Sequence, residues 1–121
     1  MTRTVMVVDD SPSVRTIMRM ALERAGYEVV EAADGEDAFE FLDGRVLGAV
    51  VCDLAMPRVD GFSFLRYLRQ HPRYRFTPLV VLSNDGRAES RDRARDQGAQ
   101  AFVHKPCRPA ELVAVVQRLC H

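Results

Sequence analysis

Asp9, Asp10, Asp53, Ser83 and Lys105 are the residues of this chain whose types could do chemistry together. Asp9 and Asp10 close the apolar run "TVMVV", and Asp53 closes "GAVVC". An ionised carboxylate at an apolar strand end costs several kcal/mol unless something charged or polar meets it. Three carboxylates held together repel one another and raise one another's pKa. A hard divalent cation resolves that conflict. Mg²⁺ takes oxygen ligands, accepts one or two carboxylates, and keeps waters that a phosphate can displace. Lys105 is a point charge suited to a phosphoryl oxygen, and Ser83 a small donor for another. A carboxylate flanked by a metal, an ammonium and a hydroxyl can attack phosphorus as a covalent nucleophile, a reaction governed by positioning and charge stabilisation. Taken singly, each residue has a plainer role: the acids and the serine as helix caps, the lysine as a solvated turn residue. Only their joint order along the chain argues for a site.

That order matters because of the elements that carry it. Short β-branched runs alternate with helical patterns from end to end. Strands are expected over 4–8, 27–31, 48–52, 78–82 and, more weakly, 101–104. Ser11 can cap a first helix with Pro12 at its first position, and Val14, Ile17, Met18, Ala21 and Leu22 recur at helical spacing until Gly26. Asp34 can cap a short helix over about 35–43, closing at Gly44. A third helix carries Phe62, Leu65 and Leu68, and the last begins at Pro109 with Leu112, Val115, Val116 and Leu119. The stretch "DGRAESRDRARDQG" is helical by charge pattern and almost without apolar residues; Glu89 with Arg93 is its favourable pair.

Strands apolar on both faces, alternating with helices, predict a doubly wound five-stranded parallel α/β sheet covered on both sides. Ligands of such sheets sit beyond the carboxyl ends of the strands, near the switch in strand order. Asp9 and Asp10, Asp53, Ser83 and Lys105 all fall at that edge.

Bulk properties narrow the function. The 121 residues suit one domain, 1–121, able to bury roughly two-thirds of its unfolded surface. Lys plus Arg equals Asp plus Glu at 17 each, so no overall field draws the chain to nucleic acid or an anionic membrane. The arginines of 87–95 are interleaved with acids and read as a solvated face. There is no apolar run of membrane-span length and no signal-peptide pattern. Cys52, Cys107 and Cys120 form no C-x-x-C and read as reduced thiols of a cytoplasmic protein.

With "VVDDSPSVR", "VVCDLAMPRVDG", "PLVVLSN" and "GAQAFVHKP", the sequence resembles the CheY-like receiver domains of two-component response regulators over residues 4–120. The resemblance implies a flavodoxin-like fold and a set of roles. Asp53 would be the phospho-acceptor, and Asp10, Asp53 and the Ala55 backbone carbonyl would hold Mg²⁺, with Asp9 acting in the outer sphere. Ser83 would be the switch hydroxyl, Lys105 the phosphoryl-binding lysine, and Phe102 the switch aromatic. The Lys105–Pro106 bond would be cis. A sensor histidine kinase or phosphotransfer protein would supply the phosphoryl group. An output protein would read the fourth helix, fifth strand and last helix, with the chain a monomer or a phosphorylation-dependent dimer.

Three positions depart from the pattern: Phe102 has no hydroxyl where tyrosine is common, Ala55 replaces a polar amide, and Asn84 is larger than the alanine often found after the switch hydroxyl. The expectation is therefore a phospho-acceptor switch that catalyses only its own modification. One alternative is a receiver cut from a larger regulator or hybrid kinase. A haloacid-dehalogenase-type phosphohydrolase would place its nucleophile in a D-x-D on the first strand, where this chain has adjacent acids. A flavodoxin-like FMN binder would need a Ser/Thr/Gly-rich loop after that strand, and none is present.

Overall fold

Two helices begin at side-chain caps that the sequence offers. In a computed structural model, which describes residues 3–55 and 61–120, the Ser11 hydroxyl accepts from the Val14 amide and Asp34 from the Asp37 amide. The elements follow as β1 Thr4–Val8, α1 Pro12–Arg24, β2 Glu28–Ala32, α2 Gly35–Glu40, β3 Ala49–Asp53, α3 Gly61–Gln70, β4 Leu79–Ser83, α4 Ala88–Asp96, β5 Ala101–His104 and α5 Pro109–Leu119. All strands are parallel, in the order β2-β1-β3-β4-β5.

Period-2 alternation divides the strand side chains between two cores. Val5, Val7, Val51, Val80 and Leu82 pack with Met18 and Leu22 of α1 and Leu112 and Val116 of α5. Met6, Val8, Val50, Cys52, Leu79 and Val81 face Ala38 of α2, Phe64, Leu65 and Leu68 of α3, and Ala94 of α4. Both faces are covered, which is why the strands read as unbroken apolar runs.

Strands β2, β3 and β4 each lie one residue later than expected, and two helices differ in extent or contacts. The short helix stops at Glu40 rather than 43 because its last turn tightens: the Leu42 amide bonds the Phe39 carbonyl instead of continuing the α ladder. The chain is then held from outside, with the Tyr74 hydroxyl accepting from the Gly44 amide at 3.0 Å and donating to the Arg45 carbonyl at 2.9 Å. On α4, Arg93 lies with its guanidinium 3.8 Å over the Phe62 ring rather than pairing with Glu89, and only Ala94 is buried.

At the amino edge of the sheet, Arg69 at the end of α3 holds two loops at once. Its Nη1 donates to the carbonyls of Arg75 at 2.7 Å and Thr77 at 2.8 Å, and its Nη2 to that of Gly98 at 2.6 Å. Gly98 has φ +95°, and a side chain there would also run into Arg69.

Candidate functional site

The carboxyl edge collects the charges. β1 and β3 are neighbours, and their registers bring Asp9 and Asp53 out side by side where the strand order switches. Asp9 is fully buried and Asp53 only 4% exposed, whereas Asp10 is exposed. One carboxylate oxygen from each of the three lies within 4.8 Å of the others.

Lys105 answers the cost of burying two of them. Its Nζ stands 2.8 Å from Asp9 Oδ2 and 3.0 Å from Asp53 Oδ2, a single cation shared by two buried anions. Backbone amides take the remaining oxygens: Ser11 donates to Asp9 Oδ1 at 2.9 Å and Ala55 to Asp53 Oδ1 at 3.1 Å. Burial pushes the Asp53 carboxyl above its ordinary pKa. The Ala55 amide and Lys105 pull it back only in part, and Asp9 adds repulsion. Burial works against the Lys105 ammonium as well, but bonds to Asp9 and Asp53 outweigh it and raise that pKa. The cluster thus keeps an excess of negative charge with oxygen donors alone, the donor set of a hard divalent cation.

The other expected site residues stand close by with different partners. The Ser83 hydroxyl ends β4 and accepts from the Asp85 amide at 2.9 Å, so it is turned toward the start of α4. The Lys105 amide bonds the Ser83 carbonyl at 2.8 Å, and the Lys105–Pro106 peptide is cis. Phe102 is half-buried on β5 against the core shared with α3 and α4. Ala55 offers its amide to Asp53, and the rest of the "MPRVD" loop, 56–60, lies outside the described residues.

Sequence reasoning passed over Arg15. Its Nη1 donates to the Asp9 carbonyl at 2.7 Å, directly behind the acid pair. The only signal was its place one turn beyond the Ser11 cap, which Arg19 and Arg24 on the same helix blur.

Comparison with known proteins agrees with this geometry. The family model described as response regulator receiver domain matches residues 5–117. The chain belongs to that family. Its relatives include the response regulator Rre1 of Synechocystis, 36% identical over 96% of this chain and 51% of that protein. The chain spans about half the length of such curated relatives. The chemotaxis response regulator CheY4 of Vibrio cholerae superposes with a TM-score of 0.92 at 33% identity, covering 98% of this chain and 99% of that one. The receiver domain of the sensor histidine kinase PA1611 from Pseudomonas aeruginosa PAO1 does so with 0.89 at 27% identity, covering 99% and 98%, and holds a magnesium ion in its active-site cleft. A receiver is a phospho-acceptor switch rather than a conventional enzyme, and membership sets aside the phosphohydrolase and flavin-binding readings.

The three free thiols of this receiver differ in exposure. Cys52, beside Asp53, is fully buried, and burial followed by the Asp53 and Asp9 charges drives its pKa far up, leaving an unreactive thiol. Cys120 is also buried, while Cys107 is half-exposed on the loop after β5. An aromatic disulfide reagent should therefore modify Cys107 first in the native chain, with Cys52 reacting only as the domain unfolds. Peptide mapping against time checks the order; early labelling of Cys52 would contradict it.

No helix among the described residues is long and apolar enough to cross a membrane.

Proposed function

We propose that Asp53 takes a phosphoryl group from a sensor histidine kinase or phosphotransfer protein, with Asp10, Asp53 and the Ala55 carbonyl ligating Mg²⁺ and Asp9 acting through water. The observation that carries this is the pocket itself: three carboxylates within 4.8 Å, with Lys105 already 3.0 Å from Asp53. The metal would supply charge neutralisation for the phosphoryl oxygens. An Asp53 oxygen forms the new O–P bond as the P–N bond of the donor breaks, and the electron pair leaves on the imidazole. Lys105 then stabilises a phosphoryl oxygen in place of the carboxylate it now meets.

Switching follows from what Ser83 now holds. Turning its hydroxyl to the phosphoryl group gives up the Asp85 amide and loosens the start of α4. Phe102 turns into the vacated space by packing alone, since it has no hydroxyl to donate. The changed face is α4–β5–α5, which an output protein reads in the cytoplasm without direct contact to nucleic acid. Incubation with acetyl phosphate and Mg²⁺ should add one phosphoryl group by intact mass, and excess chelator should prevent it. No gain of mass would overturn the reading.

A further inference from the structure

Arg15 occupies a place that the chemistry described so far does not use. Its Nη1 donates to the Asp9 carbonyl at 2.7 Å, and its Nε lies 3.4 Å from Glu31 Oε1 on β2. Glu31 is itself steadied by Arg19, whose Nε lies 3.0 Å from its other oxygen. The Asp9 carbonyl belongs to the peptide plane that links Asp9 to Asp10. Because a peptide is planar, fixing that oxygen fixes the direction in which the chain leaves toward Asp10. Asp9 needs no such help, since its side chain is already held by Lys105 and the Ser11 amide. Asp10 is exposed, and among the described residues its carboxylate has no comparable hold, so the orientation of its backbone decides where it points.

We infer that Arg15 is a positioning residue for the metal: it clamps the Asp9–Asp10 peptide plane so that the Asp10 carboxylate meets those of Asp9 and Asp53. The inference rests on the proposed Mg²⁺ site. Two effects of opposite sign separate this role from a plain charge effect. A cation behind three acids opposes a second cation, so removing a mere charge would tighten Mg²⁺ binding. Removing a clamp loosens it, as losing a group that orients a metal ligand does, typically by about tenfold or more. Lysine cannot substitute fully, because Arg15 reaches two oxygens with separate nitrogens and lysine is a single point donor.

The chain has no tryptophan to report on the site, so calorimetry measures Mg²⁺ affinity in the full chain. Arg15→Met should bind Mg²⁺ about tenfold more weakly, and Arg15→Lys should fall between it and the parent chain. Thermal midpoints in chelator give the readout that a merely structural role would move. Arg15→Lys carries the test alone if Arg15→Met does not fold. Affinity unchanged or tighter in the folded variants overturns the inference by itself, provided the parent chain binds and Asp10→Asn does not. A parent chain that binds no Mg²⁺ overturns the metal site and the role of Arg15 together.

Discussion

Asp53→Asn should take up no phosphoryl group and, in chelator, should melt at a higher temperature than the parent chain. The first result follows from the loss of the nucleophile. The second follows from the cost of Asp53 as an ion. Burial holds its pKa above that of an unfolded aspartate, and Asp9 competes with it for the single Lys105 ammonium. A raised carboxyl pKa means that the unfolded chain loses its proton first as pH rises. Stability is therefore full below the unfolded value of about 4 and falls as pH climbs through the folded one. The amide carries no such penalty. It keeps the shape, and its one oxygen can still accept from either Ala55 or Lys105, which now bond different oxygens of Asp53. The gap in melting temperature between Asp53→Asn and the parent chain should be widest at neutral pH and should close in acid. Melting curves from pH 4 to 8 check this. A variant that melts lower at every pH would mean that the pair with Lys105 outweighs the burial of the charge.

Lys105→Met should shift stability the other way and make it depend on metal. Asp9 is fully buried, and among the described residues Lys105 is the only cation bonded to its carboxylate. Methionine replaces the aliphatic stem but leaves two buried carboxylates facing each other. Breaking a buried pair from one side costs about 3–5 kcal/mol, and the low end applies here because Lys105 sits at the rim. A loss of about 3 kcal/mol lowers the midpoint of a domain of this size by roughly 10 °C. Mg²⁺ should restore most of it and bind more tightly than to the parent chain, because it no longer shares oxygens with an ammonium. Melting with and without Mg²⁺ tests both claims; an unchanged midpoint in chelator would show that water already satisfies Asp9.

The route from sequence to site was short where strands carried it. The apolar runs ending in Asp9, Asp53 and Ser83 were readable because period and length both favour buried parallel strands. Their convergence followed from the fold, and the spacing of the "DD", "D" and "KP" segments pointed to the family. What could not be read was direction. Adjacent acids are equivalent in a string, yet the pleat buries Asp9 and leaves Asp10 exposed. The Ser83 hydroxyl can rotate, and only tertiary context gives it the Asp85 amide. The arginines were least legible. Arg69 carries no pattern in the sequence that singles it out, and Arg93 reads as half of a pair with Glu89. Their carbonyl and aromatic partners come from other segments.

Arg69 also decides how α4 can move. The bond from its Nη2 to Gly98 anchors the chain just past the far end of that helix, at the sheet edge away from the acids. Its near end is joined to β4 through the Ser83–Asp85 contact. A rod fastened at one end and latched at the other behaves as a lever. If Ser83 turns as proposed, releasing the latch would swing α4 about Gly98 as a fulcrum rather than translate it. Displacement would then be largest at Ala88, beside the latch, and fall away to its least at Gln97, beside the fulcrum.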